Sequence, residues 1–415
     1  MASESFGIGL VGCGSFGRFC LSAYAQTPGV QVMAVADADP KQARICAKEF
    51  NLRACETVDE LLADPSVHMV HIVTPPAARA SLARRSLEAG KHVFCENPLA
   101  TRLEEMDELA AQAAERSLQL GVNGALRYNP LYHLARRIVE SGLAGRLRDL
   151  TLQNYMSDET LPPAHWFWDP YHSGGILVEH GVHFFDIARW LANTPGEALA
   201  IMATHRNGQG PVDRVWALAR FGEILAGFYH AFDKPSRIEQ TEIRLAFDRG
   251  YLTIHGWMPT GADLDVIVDE TGAATLREMI GLDSAPKHVI QYGGWWNARL
   301  TGHGSDSYST SCSVELTRYD EKEMKCRGAW QEYRVTQRLI VHVRLAQSRE
   351  TVYRRAITAA LRDFIASLRD PSHPPLMTMA DARADLEMAL AFRVREQSLE
   401  KSGAGFREVE NVASV

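Results

Sequence analysis

Apolar and polar positions follow two different rhythms along the chain. In the first 117 residues, short apolar runs alternate with stretches of helical periodicity. Phe6–Val11 predicts a strand that stops at Gly12, and Phe16 to about Thr27 predicts a helix ended by Pro28 and Gly29. Val30–Ala36 predicts a second strand, closing on Asp37, and helices are expected over Pro40–Phe50 and Val58–Leu62. Met69–Val73 and His92–Cys95 read as further strands, separated by a helix over Ala77–Ala89 with Gly90 in the C-cap position. A helix over Leu103–Ser117 completes this half. Strands alternating with helices of this size imply a parallel sheet covered on both faces.

Beyond Gly121 the rhythm changes. A helix over Pro130–Glu140 leads through Gly142 and Gly145 to a strand near Leu147–Tyr155, and a long helix is expected over about Ile176–Leu191. Six strand-like runs follow: Ala198–His205, Val215–Phe221, Ile224–His230, Thr241–Phe247, Tyr251–Ile254 and Leu264–Val268. Another strand is expected over Arg334–Leu345, then helices over Val352–Leu368 and Met379–Lys401. Many strands after few helices point to an α+β domain on an open, mainly antiparallel sheet. Residues Tyr292–Gly328, rich in Gly, Ser, Asp and Trp with weak periodicity, read as an irregular insertion. The expected division is 1–124 and 125–415.

Composition narrows the class. The chain has 415 residues, 46% hydrophobic and 23% charged, with a formal net charge of -7, enough for a large core in two or three domains. An acidic balance without a basic run argues against nucleic acid and anionic membranes as partners. Seven scattered cysteines without a CxxC pair fit reduced thiols, no export signal is visible, and no apolar run approaches a membrane span, so the expected location is the cytoplasm.

Gly12-Cys13-Gly14-Ser15-Phe16-Gly17 is a GxGxxG between an expected strand and an expected helix, with Asp37 ending the next strand about 20 residues later. Gly12 permits the tight turn, Gly14 lets backbone approach a pyrophosphate, and Gly17 lets the helix pack closely, so amides around Ser15 and Phe16 meet the phosphates. Asp37 would accept hydrogen bonds from ribose hydroxyls and repel a 2′-phosphate; Ala38 and Asp39 follow it rather than an arginine, which favours NAD over NADP.

Two further segments share the chain with this fingerprint: Gly90-Lys91-His92-Val93-Phe94-Cys95-Glu96-Asn97-Pro98-Leu99 after Thr74-Pro75-Pro76, and Gly174-Gly175 leading to Glu179, His180, His183 and Asp186. With these motifs nearly the whole chain resembles the glucose–fructose oxidoreductase / inositol dehydrogenase family, Gfo/Idh/MocA. The resemblance implies an N-terminal Rossmann domain, an NAD-dependent oxidoreductase of sugars or cyclitols, and a homodimer or homotetramer formed by pairing of sheets. It places Thr74, Pro75 and Glu96 on the nicotinamide side. Glu96 and Pro98 match the family's EKP turn, but Asn97 stands where the family has a substrate-contacting lysine. His183 matches the family's general base, and Glu179 stands in the place of its substrate-binding aspartate. Arg127 and Tyr128 occupy a stretch where relatives often meet substrate, and an arginine there would suit an acidic substituent.

The residues themselves support part of this. Glu179 and His183 are spaced i,i+4 on an expected helix and project from one face, with Asp186 three residues on and able to orient or charge-pair the imidazole. A histidine titrating near neutrality suits removal of a hydroxyl proton. His180 is either a substrate neighbour or packing. His165 and Trp166, within an aromatic cluster reaching Tyr171, suit stacking on a sugar ring; Trp295 and Trp296 fit either stacking or the core. The helix carries HxxH but no HExxH, and no metal is expected.

Asn97 hydrogen-bonds but carries no charge, and the loss of a cation beside a developing alkoxide costs roughly 2.7–4 kcal/mol by analogy with an oxyanion donor. Three readings follow: a dehydrogenase relying on His183; a redox-neutral glycosidase using catalytic NAD, with oxidation at C3, elimination, water addition and re-reduction; or a non-catalytic NAD- and sugar-binding regulator.

Overall fold

The computed structural model describes residues 6–281, 295–303, 307–320 and 324–402. The first sheet is parallel, built from β1 (Phe6–Val11), β2 (Val30–Ala36), β3 (Arg53–Ala54), β4 (Met69–Ile72), β5 (His92–Glu96) and β6 (Leu120–Asn123), in the order β3-β2-β1-β4-β5-β6. Helices α1 (Ser15–Tyr24), α2 (Pro40–Phe50), α3 (Val58–Leu62), α4 (Pro76–Glu88) and α5 (Leu103–Glu115) connect the strands. The chain runs outward from β1 in one direction through β2 and in the other through β4. That reversal opens a crevice at the strands' carboxyl ends, where such sheets bind ligands.

Local sequence sets these elements. Pro40 opens α2 behind Asp39, whose carboxylate accepts from the Lys41 amide at 2.9 Å. Thr57 caps α3 by accepting from the Glu60 amide. Strand β6 was not expected from the sequence because Gly121 interrupts its apolar run. The glycine is dictated by packing: a Cβ there would collide with the ring of Phe364.

The second sheet has ten strands. Nearly all neighbours are antiparallel; Leu147–Ser157 and Ile224–Lys234 run parallel. One face is covered by helices, including Val182–Ala192 and Met379–Ser402; the other is open, with Met202, Leu218, Leu225 and Tyr251 exposed. Residues expected to be an irregular insertion instead supply the edge strand Trp295–Thr301, its neighbour Ser307–Arg318, and one arm of a small ribbon, Lys325–Gly328 with Gln331–Arg334. Their alternation is real, as the buried Tyr308, Thr310 and Cys312 show, but Thr310 and Cys312 are small and weaken its apolar signal. Residues 292–294, 304–306 and 321–323 lie outside the described residues, as do the side chains of Trp295 and Trp296. The expected strand over Arg334–Leu345 breaks at Val335 and Thr336, and the helix Glu270–Met279 went unread in the sequence.

The helix Arg349–Arg369 returns from the second sheet to the first. Its Phe364 stacks on Phe94 of β5 at 5.4 Å, and Arg354 donates to the Ser22 hydroxyl of α1 at 2.6 Å. Among the described residues, no helix is long and apolar enough to cross a membrane. All seven cysteines are free.

Candidate active site

A cleft of about 990 Å³ lies at the carboxyl ends of β1, β2, β4 and β5, facing the Leu177–Ala192 segment. Its floor is the Gly12–Gly17 turn. Gly12 has φ +111°, and a Cβ on it would strike the Val73 carbonyl. A Cβ on Gly17 would strike the Gly12 carbonyl, so that glycine holds α1 tightly on the sheet. Gly14 borders open space, and no side chain caps the amides that begin α1. This is a cradle for an anionic group.

Asp37 is locked at the edge of the cradle. One carboxylate oxygen accepts from the Cys13 amide at 2.7 Å and the other from the Asp39 amide at 2.9 Å. A negative group fixed there, with lone pairs to spare, matches ribose hydroxyls and disfavours an added phosphate. An NAD molecule therefore fits this end of the cleft on its donor set.

At the other end, Thr74, Pro75, Glu96 and Asn97 converge with Glu179, His180, His183, His165 and Trp166. Glu96 is buried and held by the His71 ring (2.9 Å) and the Asn123 amide (2.9 Å). Asn97 is 4% exposed, and its Oδ1 is without a hydrogen-bond partner among the described residues.

The helix carrying His183 is not a regular α-helix. Leu177–Gly181 forms a π-turn before the α-helix Val182–Ala192, a local insertion common at functional sites. Glu179, His180 and His183 all line the cleft across that turn. Burial raises the Glu179 carboxyl to about 7 and pushes the His183 imidazole down to about 4. His183 is thus neutral at physiological pH rather than half-titrated, and available to accept a proton. Burial also holds His180 well below its ordinary value; its ring packs against His230 (5.5 Å) and Phe232 (5.2 Å).

Two expected substrate residues lie elsewhere. Arg127 is buried in an ion-pair network, donating to Asp186 (2.9 and 2.5 Å) and Asp381 (3.1 Å), because the 3-10 turn Ala125–Tyr128 tucks it beneath the Val182–Ala192 helix. Asp186 accordingly serves Arg127 and not His183. Tyr128 donates to Asp363 at 2.6 Å in the core. Of the aromatic cluster, Phe167 packs on Phe232 at 4.7 Å, and Tyr171 is exposed.

Sequence reasoning missed Arg79, Trp257 and Tyr353, all of which line the cleft. Tyr353 packs against Phe19 of α1 (4.9 Å) and Trp257 (5.0 Å). Nothing local marks Trp257 or Tyr353, but Arg79 was detectable: it shares the buried stripe of α4 with Ala80, Ala83 and Leu87.

Residues 6–124 match the oxidoreductase family with NAD-binding Rossmann fold, GFO_IDH_MocA, and residues 132–253 match the GFO/IDH/MocA C-terminal domain. The chain belongs to the Gfo/Idh/MocA family. It is therefore an NAD-dependent oxidoreductase of a family acting on sugars and cyclitols. Gfo/Idh/MocA relatives include a dTDP-3,4-didehydro-2,6-dideoxy-alpha-D-glucose 3-reductase from Streptomyces violaceoruber, 30% identical over 61% of this chain and 75% of the relative. A 1,5-anhydro-D-fructose reductase from Ensifer adhaerens is 29% identical over 72% of this chain and 89% of its own. In fold, the chain is similar to GenD2 from gentamicin A biosynthesis in complex with NAD, with TM-score 0.67, 20% identity and coverage of 96% of both chains.

Proposed function

We propose that this chain moves a hydride between a secondary alcohol of a sugar, sugar acid or cyclitol and NAD, with His183 exchanging the hydroxyl proton. The carrying observation is His183 itself: a neutral imidazole without a hydrogen-bond partner among the described residues, in the cleft that begins at the Gly12–Gly17 turn. Gly12, Gly14, Ser15, Phe16 and Gly17 hold the pyrophosphate, Asp37 the ribose, and Thr74, Pro75 and Glu96 the nicotinamide side. NAD, when bound, takes up the electron pair of the carbinol C–H bond. His183 accepts the hydroxyl proton as the carbonyl forms; Glu179 and Asn97 hold neighbouring hydroxyls, and His165, Trp166 and His180 line the ring site. Among the relatives, the dTDP-sugar 3-reductase, a scyllo-inositol 2-dehydrogenase and the 1,5-anhydro-D-fructose reductase support this substrate class.

In this reading residues 1–124 form the cofactor half and 125–415 the substrate half. The open sheet face, with Met202, Leu218, Leu225 and Tyr251 exposed, pairs two chains into a homodimer or homotetramer. Sedimentation measures that mass directly, and a monomer removes this part. The free cysteines support a reducing, cytoplasmic location.

The test is NADH absorbance during incubation with NAD and a panel of sugars, sugar acids, inositols and glycosides, with products read by mass spectrometry. Steady NADH accumulation supports the dehydrogenase. A second reading draws on Glu179, whose carboxyl near 7 is suited to protonating a leaving group. Glycoside cleavage that requires NAD without net NADH would establish that redox-neutral chemistry instead.

A further inference from the structure

Arg79 is a buried cation that makes no ion pair among the described residues. It is 7% exposed, and among the described residues no carboxylate pairs with it, whereas the equally buried Arg127 has two. Burying a charge without a partner is costly. Three carbonyls offset part of that cost: Nε donates to Thr74 at 2.7 Å, and Nη1 donates to Glu96 at 3.3 Å and Pro98 at 2.8 Å. The two N–H groups of Nη2 have no acceptor among the described residues. Arg79 lines the cleft with Asn97, Glu179 and His183, and its charge lowers the proton affinity of the last two. The carbonyls of Glu96 and Pro98 flank Asn97, so this fixed charge stands beside the position where the family has its lysine.

We propose that Arg79 supplies the positive charge that Asn97 lacks, donating to the substrate oxygen as its proton passes to His183. As the O–H bond breaks, the proton bonds to the imidazole nitrogen and the electron pair stays on oxygen. A guanidinium N–H facing that oxygen then makes a charge-assisted bond. Arginine does not give up its proton, so it stabilises the oxygen without relaying protons, and the proton path stays with His183. The inference rests on the reading of His183 as base.

The experiment compares Arg79→Gln, Arg79→Lys and His183→Asn in the full chain, on neutral and acidic sugars. It measures turnover, NAD affinity by fluorescence, and His183 titration by NMR on labelled histidine. Arg79→Gln is expected to lower kcat about 10²–10³-fold on both substrate types, as loss of an oxyanion donor does. The NAD dissociation constant should move less than about threefold, and the His183 midpoint should rise once the opposing charge is gone. Arg79→Lys, which keeps the charge but not the fork, should hold kcat within about tenfold of the native chain. Retained turnover in Arg79→Gln, or a loss confined to KM for acidic sugars, overturns the inference. Should Arg79→Gln fail to fold, Arg79→Lys decides: a parallel loss of NAD affinity and melting temperature makes Arg79 a staple of the cofactor loops. Turnover lost in His183→Asn but kept in Arg79→Gln sinks this inference alone; turnover kept in His183→Asn sinks the reading beneath it.

Discussion

Asp186 lies one helical turn beyond His183, yet gives both carboxylate oxygens to Arg127, at 2.9 and 3.0 Å from Nε. The pair is almost wholly buried, and Asp381, Arg189 and Asp385 extend it into the C-terminal helix. His183 is left without an orienting carboxylate on its own helix. What fixes it is packing across the π-turn, against His180 and Trp257 (6.3 Å each).

Arg127→Met should therefore act on stability and not on substrate choice. Removing one member of a buried pair leaves an uncompensated charge and costs about 3–5 kcal/mol. Urea unfolding checks the loss. Michaelis constants for acidic and neutral sugars should keep their ratio; a selective rise for acidic sugars would return Arg127 to the substrate site.

His183→Ala should lower kcat about 10²–10⁴-fold, the usual worth of a positioned acid–base group. The His183 ring packs on His180 and Trp257, and the proposed reading gives it no part in holding NAD, so NAD affinity should stay within about threefold of native. Equilibrium NAD binding beside steady-state turnover separates the two. A parallel loss of both would show that the side chain is structural.

Asp37→Ser should narrow the preference between the two dinucleotides. The carboxylate accepts two backbone amides and lines the cleft beside the Gly12–Gly17 turn, where the proposed reading puts the adenosine ribose. Hydrogen bonds to a charged group are worth about 1.5–3 kcal/mol, so NAD should bind roughly ten- to a hundredfold more weakly. Removing the negative charge should leave NADP binding unchanged or tighter. Titrating both dinucleotides against the variant reads this directly, and equal weakening of the two would show that Asp37 only shapes the turn.

Much of the first half was legible because its signals are local. A strand, GxGxxG, a helix and then Asp37 specify a turn whose glycines the packing demands, as at Gly12 and Gly17. The substrate end was half legible. Glu179 and His183 do meet in the cleft, but their i,i+4 spacing presumes a regular helix, and no residue pattern announces the π-turn at Leu177–Gly181. Arg127 misled because a resemblance places a stretch of chain, while the direction of a side chain depends on distant partners such as Asp381. Tyr353 lies far along the chain from Glu179 and His183, and only the completed fold brings it to the cleft. The strands after Trp295 were not legible because their buried positions mix Leu300 and Val314 with Ala298, Thr310 and Cys312, which blurs the apolar alternation.

Glu179 gives the pH dependence its sign. Burial lifts its carboxyl from an ordinary 4.5 to about 7, so between those values the folded chain holds a proton that the unfolded chain has released. The stability this contributes is fully present below pH 4.5 and is lost as pH rises through about 7. Glu179→Gln, neutral throughout, should flatten that part of the stability curve. Activity should carry the same midpoint. His183 is already unprotonated above about pH 4, so loss of the base cannot account for an inflection near 7. In a dehydrogenase, an ionised Glu179 accepts from a substrate hydroxyl, and kcat/KM for oxidation should rise through pH 7. In a redox-neutral glycosidase the protonated form donates to the leaving group, and the rate should fall through the same window. Either inflection should vanish in Glu179→Gln while the acid limb set by His183 remains. A native profile flat between pH 6 and 8 would mean that Glu179 takes no part in either chemistry.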